Sequence, residues 1–368
     1  MEKINAAIIG MGFIGKQHYD ALRRISGVHI RAISVSNAAS VERVKEEYDA
    51  DYVTADWHEI IADESVQVIH NCTPNALHDE INLAAIAAGK HIYAEKPMSI
   101  TTEGAEKVAK AAAEAGVANA INHQYRMNAA VQEMRNRIKA GQCGRMLYIS
   151  GCYFQDTVTR HTDYTKRRFP ENSPARALLD IGVHWADTTH FVTGMAIKRV
   201  YAKMYTHYPV RIDPETGNEI EIHSDDTTSV MVEFEDGTPG SAVFSKCMMG
   251  HKNDLTVTVS GETCEYSWKQ EQCDRLTVGN RGLGNETVLI DKNYACPETE
   301  PFISMAVGHA PGWQEAEKNA MIAFYGSVRD GSYKTGNVPY ATFADGVYGN
   351  RFVDACLRSA AEDRWVEL

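Results

Sequence analysis

The sequence predicts a two-domain chain: an α/β domain with a doubly wound parallel sheet, followed by an α+β domain with an open, mostly antiparallel sheet. Three observations lead to this fold class. A glycine-rich turn follows an apolar run near the N-terminus, and short apolar runs then alternate with helical patterns as far as Asn122. From Ile197 onward the chain changes to alternating runs rich in Val, Thr and Tyr. Alternation of strands and helices is typical of parallel sheets, and period-two runs are typical of antiparallel ones.

The turn that contains Gly10, Gly12 and Gly15 has the spacing of a Rossmann dinucleotide-binding turn. The residues before it are apolar and predict a buried strand, and the residues after it have a helical pattern. In such a turn the first glycine permits the tight bend, the second lets the backbone approach a pyrophosphate, and the third lets helix and strand pack closely. Phe13 and Ile14 lie in the same turn and are predicted to contact the cofactor. Glycines at this spacing also occur in ordinary turns, so the prediction depends on the flanking strand and helix.

The first domain is predicted to span residues 1–122. Its helical patterns stop at glycines, as where the pattern from Ala105 to Ala115 stops at Gly116. Its strands are predicted at residues 6–9, 30–35, 52–54, 66–71, 91–94 and 118–122.

The second domain is predicted to span residues 123–368. Its helices are predicted at residues 129–140, around Asp180 and His184, at 313–328 and at 343–361. Its strands are predicted at residues 146–153, 200–208, 227–235, 240–248, 255–260, 265–268 and 287–289. Because these helices leave no surplus to cover the second face of the sheet, we expect that face to pair with another copy in a homodimer or homotetramer.

The composition excludes several classes of partner. A formal net charge of -12 and a pI near 5.6 disfavour nucleic acids and anionic membranes, and the one notable basic cluster, Lys166–Arg168, is interpreted as a solvated loop. The eight cysteines lack metal-binding or disulfide-framework spacing, so we expect reduced thiols. With neither a signal peptide nor a stretch of membrane-spanning length, a cytoplasmic protein is expected.

Polar residues follow three of the predicted strands, where ligands bind in open parallel sheets. Thr73, Pro74 and Asn75 follow one strand, with His78 about one turn further; they either line a cofactor path or cap a helix. The segment 95–97, Glu-Lys-Pro, follows the next strand and provides either a lysine that polarises a substrate oxygen or a surface ion pair. The segment 122–126, Asn-His-Gln-Tyr-Arg, follows the last strand and offers donors for a polyhydroxy ligand, although a domain junction also uses such residues.

Together these motifs resemble the glucose-fructose oxidoreductase, inositol dehydrogenase and rhizopine-catabolism (Gfo/Idh/MocA) family. The glycine turn, the Thr-Pro-Asn segment, Glu-Lys-Pro and the Asp-Ile-Gly-Val-His segment at 180–184 occur in the family's order, and the resemblance covers nearly the whole chain. The segment 308–313 is also similar to a loop in the branch that includes levoglucosan and related glycoside oxidoreductases. The resemblance implies hydride transfer between a nicotinamide and a secondary hydroxyl of a sugar, anhydrosugar or cyclic polyol.

The resemblance also implies roles for individual residues. Asp180 and His184 are four residues apart and so share one helix face. His184 would accept the alcohol proton, and Asp180 would either orient the substrate or couple to His184 and Lys96. Lys96 would hydrogen-bond the reacting oxygen. An Asp/His pair at this spacing is also compatible with a helical ion pair or with two metal ligands, but no third ligand has an obvious spacing, and no metal site is predicted.

Further contacts are implied for the cofactor and for the substrate. Glu95 would contact the nicotinamide ribose. The predicted cofactor contacts are completed by Ser36, Asn37, Thr73, Pro74, Asn75, His78, Lys96 and Asn122. Substrate contacts are predicted for Lys96, Arg126, Tyr153, Asp180, His184 and His309, and less specifically for the polar and aromatic side chains Gln155, Asp156, His161, Asp163, Tyr164 and Trp313.

Two questions stay open at this level. An NAD enzyme of this fold usually has an acidic residue at the end of the second strand, but residues 34–37 contain none, so the cofactor is either NAD or NADP. The family also contains hydrolases that oxidise a glycoside transiently with no net cofactor turnover, and a non-catalytic nucleotide or sugar sensor would use the same fold.

Overall fold

The structure is a computed structural model that describes residues 3–164, 173–309 and 311–368; the Lys166–Arg168 cluster lies outside them. The chain divides into two compact units. The first contains the chain up to Gln124 together with Glu317–Val347, and the second contains Tyr125–Ala316 and Tyr348–Leu368. The sequence placed the domain boundary after residue 122 but did not indicate that a late segment returns to the first unit.

The first unit contains a six-stranded parallel sheet with the strand order β3-β2-β1-β4-β5-β6. This is the order of a doubly wound Rossmann sheet, which confirms the predicted fold class. The central strands are buried on both faces, which is why they read as apolar runs rather than alternating patterns. The strands are β1 (Ile4–Ile9), β2 (Val28–Ser34), β3 (Tyr52–Thr54), β4 (Val68–Asn71), β5 (His91–Ala94) and β6 (Asn119–Ile121).

The helices of the first unit begin and end where local chemistry favours it. The Thr101 side chain accepts a hydrogen bond from the backbone N–H of Gly104 and so caps α5, and Gly116 ends that helix in the left-handed region, as predicted. The helices are α1 (Phe13–Leu22), α2 (Val41–Glu47), α3 (Trp57–Ala62), α4 (His78–Ala87) and α5 (Thr102–Ala115). The unit also contains α8 (Gly312–Asp330) from Glu317 onward and α9 (Phe343–Glu362) as far as Val347.

The second unit is built on a nine-stranded sheet with the order β16-β15-β14-β13-β7-β12-β11-β8-β17. One pair, β7 with β12, is parallel, and the other pairs are antiparallel, as predicted. Its strands are β7 (Met146–Phe154), β8 (Ile197–Tyr205), β11 (Thr227–Phe234), β12 (Pro239–Ser245), β13 (Asp254–Gly261), β14 (Glu265–Lys269), β15 (Arg275–Gly279), β16 (Glu286–Leu289) and β17 (Val366–Glu367). A separate short hairpin is formed by β9 (Val210–Ile212) and β10 (Glu219–Glu221).

Helices cover one face of this sheet. The helices α6 (Ala129–Lys139) and α7 (Val183–Thr193) pack against its inward side chains, and the later part of α9 joins the same core. The other face keeps large side chains partly exposed: Tyr148, Tyr205 and Met231 are 42%, 50% and 48% exposed. This distribution is the one expected for an open sheet with a single covered face.

Two further features bear on the predictions from composition. All eight cysteines are free thiols. Within the described ranges, none of the helices combines the length and the apolar character that crossing a membrane requires.

Candidate active site

The turn between β1 and α1 has the shape of an anion cradle. Gly10 has a φ of +98°, and a Cβ there would lie 2.6 Å from the carbonyl oxygen of Cys72. A Cβ at Gly15 would lie 2.1 Å from the Gly10 oxygen, whereas a Cβ at Gly12 would meet nothing within 4 Å. Gly12 caps α1 without a side-chain hydrogen bond, and the neighbouring Phe13 is 80% exposed. Open space in front of the first N–H groups of a helix fits the pyrophosphate of a dinucleotide.

The segment after β2 provides a hydroxyl and an amide. Asn37 caps a short helical turn, since its side-chain oxygen accepts a hydrogen bond from the backbone N–H of Ser40 (3.1 Å). Its amide group donates to the hydroxyl of Ser36 at 3.3 Å. The nearest downstream cation, Arg43, is bound to Glu47 one turn further along α2.

His78 links the loops that follow β4 and β5. Its Nδ1 lies 2.7 Å from the carbonyl oxygen of Pro97, and its Nε2 lies 2.9 Å from that of Thr73. The side chain is buried, and the Thr73 hydroxyl donates to Asn71 at 2.7 Å. His78 therefore holds together the two loops that carry the predicted cofactor residues.

Glu95 is a buried carboxylate with several donors. Its Oε1 accepts hydrogen bonds from Asn122 Nδ2 (2.5 Å) and His18 Nε2 (3.1 Å), and its Oε2 accepts one from the backbone N–H of Lys96 (3.1 Å). Burial opposes ionisation, but the hydrogen bonds from His18 and Asn122 and the charge of Lys96 lower the pKa of Glu95. Asn122 is itself held by the hydroxyl of Tyr93 at 2.9 Å. The carboxyl end of β5 thus presents a charged and oriented acceptor.

A second carboxyl group, Glu317 of α8, approaches the same place. Its Oε1 lies 3.4 Å from His18 Nε2, and burial and the charge of Glu95 raise the pKa of Glu317 well above its usual value. The ligand atoms of His18, Glu95 and Glu317 lie within 4.8 Å of one another. The amide nitrogen of Asn122, however, lies between 2.5 and 3.5 Å from all of them, so a neutral donor already occupies the centre of the group.

In the second unit, Asp180 lies in a π-helical turn, Leu178–Gly182, that runs directly into α7. The buried carboxylate of Asp225 holds the beginning of this turn, accepting hydrogen bonds from the backbone N–H groups of Arg176 (2.6 Å) and Leu178 (2.9 Å). Turns of this kind often occur at functional sites, because the extra residue redirects one side chain. The sequence predicts a helix here but not its π geometry.

Asp180 forms a buried ion pair that the sequence analysis missed. Its Oδ2 accepts a hydrogen bond from Lys246 Nζ at 2.6 Å, and the same ammonium group donates to Gln155 Oε1 at 2.9 Å. The signal was available in the sequence. Lys246 continues the period-two positions of Ala242 and Phe244, which are buried in β12.

His184 lies against a closed ring of polar groups. Its imidazole is 4.9 Å from the ring of Tyr125 and 6.0 Å from that of Tyr153. The Tyr153 hydroxyl donates to Asn253 Oδ1 (2.5 Å), Asn253 Nδ2 donates to the Tyr125 hydroxyl (2.9 Å), and the two hydroxyls lie 2.8 Å apart. Burial raises the pKa of Tyr125 to about 12, so this group stays a phenol. The two tyrosine rings beside His184 therefore carry hydrogen-bonded hydroxyl groups.

Other predicted substrate residues have partners within the second unit. Arg126 forms a bidentate ion pair with Asp187, at 2.8 and 2.6 Å, and stacks over Phe191. His309 lies on an exposed segment, with Nδ1 3.3 Å from the carbonyl oxygen of Ala306. The remaining candidates are dispersed: Asp156 binds Lys252, His161 contacts Val210, Asp163 accepts hydrogen bonds from the backbone of Thr159 and Arg160, Tyr164 is buried, and Trp313 packs against the apolar core.

The chain is similar in sequence and in fold to known oxidoreductases. Residues 4–123 match the sequence model described as an oxidoreductase family with an NAD-binding Rossmann fold, GFO_IDH_MocA, and residues 131–267 match the GFO/IDH/MocA C-terminal domain. The chain is 26% identical to levoglucosan dehydrogenase of Pseudarthrobacter phenanthrenivorans, covering 100% of this chain and 99% of that protein. It is 34% identical to 1,5-anhydro-D-fructose reductase of Ensifer adhaerens, covering 98% and 97%. A solved structure of levoglucosan dehydrogenase in complex with NADH and L-sorbose superposes with a TM-score of 0.89, at 26% identity over 100% of this chain and 99% of the other.

Proposed function

The chain belongs to the Gfo/Idh/MocA family of oxidoreductases with an NAD-binding Rossmann domain, and on that premise we propose that it interconverts a secondary alcohol and a ketone on a sugar, anhydrosugar or cyclic polyol, with NAD as the cofactor. The observation that carries the proposal is the environment of His184. A buried imidazole that faces the Tyr125–Tyr153–Asn253 ring and follows the ion-paired Asp180 by four residues is suited to take a proton from a substrate hydroxyl.

In the proposed reaction, each side chain has one task. His184 accepts the hydroxyl proton during oxidation and returns it during reduction. Asp180, whose charge is compensated by Lys246, accepts a hydrogen bond from a second substrate hydroxyl. Lys96 donates a hydrogen bond to the reacting oxygen and stabilises the negative charge that develops there.

The first unit would hold the dinucleotide. The open backbone at Gly12 would bind the pyrophosphate, and the carboxylate of Glu95 would accept hydrogen bonds from the nicotinamide ribose. Ser36 and Asn37 would contact the adenosine ribose. When bound, NAD supplies the acceptor for the hydride that leaves the substrate carbon. We propose NAD rather than NADP because the matching family model is NAD-binding and similar solved structures contain NADH.

The substrate class is supported by the relatives and by the polar lining. Two of the relatives are named for anhydrosugars and others for inositol. Tyr153, Gln155 and Asn253 provide hydroxyl and amide groups next to the proposed proton acceptor and its neighbour Asp180. Such groups recognise the successive hydroxyls of a polyol ring.

A second copy of the chain would cover the open face of the nine-stranded sheet. That face carries Tyr148, Tyr205 and Met231 with about half of each side chain exposed. A flat sheet face can pair with itself about a two-fold axis. The eight free thiols suit a reducing compartment such as the predicted cytoplasm. Light scattering is expected to give the mass of a dimer or tetramer, and Met231→Lys is expected to lower it.

The test is reduction of NAD or NADP, followed by near-ultraviolet absorbance, with levoglucosan, 1,5-anhydrosugars and inositols. We expect one class to give reduced cofactor with the wild type and not with Lys96→Ala or His184→Ala. Lys110→Ala and His223→Ala, with side chains 76% and 74% exposed, are the matched controls. Release of an aglycone without reduced cofactor would instead identify the transient-oxidation hydrolase. Dinucleotide binding without any turnover would identify a sensor.

A further inference from the structure

A chain of buried hydrogen bonds crosses the interior of the first unit and ends at Glu95. The Tyr325 hydroxyl lies 2.8 Å from His70 Nε2, and His70 Nδ1 lies 2.9 Å from His18 Nδ1. His18 Nε2 then lies 3.1 Å from Glu95 Oε1. The first three side chains are completely buried, and the His70 ring is nearly parallel to the rings of Tyr93 and Tyr325, with centroids 5.1 and 5.9 Å apart. No part of the proposed reaction uses these three residues.

The protons in this chain can be assigned by accounting for buried donors. Among the described residues, the Tyr325 hydroxyl forms its hydrogen bond with His70 Nε2. Burial raises the pKa of Tyr325 well above its usual value, so the phenol keeps its proton. A buried O–H group needs an acceptor, and therefore Tyr325 donates to His70. Burial also lowers the pKa of His70, which is consequently a neutral imidazole that donates from Nδ1.

The tautomer of His18 follows from that of His70. Its Nδ1 accepts from His70, so its proton is on Nε2 and is donated to Glu95. Cys72 Sγ lies 3.2 Å from the same Nδ1, and burial raises the pKa of this thiol, so a second protonated group faces that acceptor. All the hydrogen bonds of the chain therefore run in one direction, from Tyr325 to the carboxylate.

Glu317 and Glu95 differ in the hydrogen bonds that their carboxyl groups receive. Its Oε2 is buried and has no hydrogen-bond partner within the part of the chain that the structure describes, whereas Glu95 has three donors. Two carboxyl groups this close, in a buried site, favour one shared negative charge over two. A protonated Glu317 leaves one buried O–H unpaired, but an ionised Glu317 would leave a buried charged oxygen unpaired, which costs more. The group with more donors, Glu95, therefore carries the charge. If the chain ran in the opposite direction, His18 Nδ1 would donate to His70. His18 would then have to be an imidazolium to donate to Glu95 as well; a neutral His18 would turn the lone pair of Nε2 towards Glu95, and that carboxyl group would have to be protonated.

We propose that Tyr325, His70 and His18 are positioning residues that keep Glu95 as the charged member of the Glu95–Glu317 pair and fix it for binding of the nicotinamide ribose. This inference rests on the proposed function, because Glu95 contacts the dinucleotide only if the chain acts as described above. The phenol sets the direction, since it can donate and the described residues offer its hydroxyl no acceptor other than His70. The histidines transmit that direction to the carboxylate.

The first measurement is nitrogen NMR of the full chain labelled with ¹⁵N-histidine, which distinguishes the two neutral tautomers from the imidazolium. We expect His18 with its proton on Nε2 and His70 with its proton on Nδ1. In Tyr325→Phe the pair is free to reverse, and we expect mixed or exchanged tautomers. Tyr340→Phe is the matched control, because Tyr340 is also a buried tyrosine whose hydroxyl has a partner, Ser327 at 2.8 Å. It should leave both histidines unchanged.

The second measurement is dinucleotide affinity. Tyr325→Phe should raise the Kd and KM for NAD by about two- to tenfold, with a smaller effect on kcat, and Tyr340→Phe should not. An imidazolium at His18, the opposite tautomers, or an unchanged affinity in Tyr325→Phe would overturn the proposal. If Tyr325→Phe does not fold, His70→Asn interrupts the same chain. Wild-type protein that has the expected tautomers but does not bind NAD would contradict the proposed function instead, because the tautomers are measured without cofactor.

Discussion

Lys246 Nζ lies 2.6 Å from Asp180 Oδ2, and this buried ion pair joins the end of β12 to the π-helical turn. Both side chains are almost fully buried, at 2% and 7% exposure. The pair therefore sets both the charge and the direction of the carboxylate that we expect to bind substrate.

Removal of Lys246 should take away the positive charge that lies 2.6 Å from the buried Asp180 carboxylate. We expect Lys246→Met to lower the free energy of unfolding by about 3–5 kcal/mol and to abolish activity. The double variant Lys246→Met, Asp180→Asn should recover most of the stability but no activity. Denaturant unfolding of the single and double variants measures this coupling. Additive losses would show that the two groups do not stabilise each other.

The Tyr153 hydroxyl closes the polar ring beside His184, and its loss should weaken substrate binding. In Tyr153→Phe, the Asn253 oxygen loses a donor and the Tyr125 hydroxyl loses a partner, at a cost of about 1–3 kcal/mol in stability. We expect kcat/KM for the polyol to fall about tenfold, with an unchanged KM for NAD. Tyr294→Phe, which alters an exposed tyrosine, serves as the control. A rise in the KM for NAD with unchanged kinetics for the polyol would show that Tyr153 acts on the cofactor and not on the substrate.

Alanine substitutions in the glycine turn should separate affinity from stability. A Cβ at Gly12 meets no atom within 4 Å, so Gly12→Ala should fold normally but bind NAD about tenfold or more weakly, because the methyl group occupies the space of the pyrophosphate. In Gly15→Ala, the Cβ would collide with the Gly10 carbonyl, so stability should fall by about 1–3 kcal/mol. Thermal unfolding with calorimetric titration tests both. Equal affinity in Gly12→Ala and the wild type would remove the pyrophosphate from this turn.

Asp225 should make stability depend on pH below neutrality. Burial raises its pKa from 3.8 to about 6 in the folded chain, so the folded state holds this proton more tightly than the unfolded state. The protonated group stabilises the folded state fully below about pH 4, and this stabilisation is lost as the pH rises through about 6. The free energy of unfolding should fall by about 3 kcal/mol over this range. Asp225→Asn cannot titrate and should lack this decline. The measurement is urea unfolding of both proteins from pH 4 to 7; parallel pH curves would contradict the assignment.

Most of the fold could be predicted, because burial leaves a periodic trace in the sequence. The strands 52–54 and 91–94 are confirmed with the predicted bounds, and Gly116 ends α5 as expected. The predicted strand at 200–208 is observed three residues earlier, at Ile197–Tyr205. Polar and apolar residues alternate through both ranges, so the pattern does not mark where the strand begins. The return of residues 317–347 to the first unit was not predictable, because no local pattern records which distant helix packs on a given sheet.

The motifs of the candidate site were predictable from the sequence, but the buried residues that contact them were not. His18 precedes the buried Leu22 by four residues, so both lie on the buried face of α1. Glu317 precedes the buried Met321 and Phe324 by four and seven residues on α8. A polar residue in such a position indicates that it has a buried partner, but the sequence does not identify which residue that partner is. The partners become known only when the helices pack.

In the proposed reaction, hydride moves from a polyol carbon to NAD while His184 takes the proton. The most direct measurement uses a substrate of the active class with deuterium at the reacting carbon and follows the label by mass spectrometry. We predict one deuterium in the reduced nicotinamide with a primary kinetic isotope effect, and a loss of rate of about 10²- to 10⁴-fold in His184→Ala. Unlabelled reduced nicotinamide, or full activity of His184→Ala, would contradict the account.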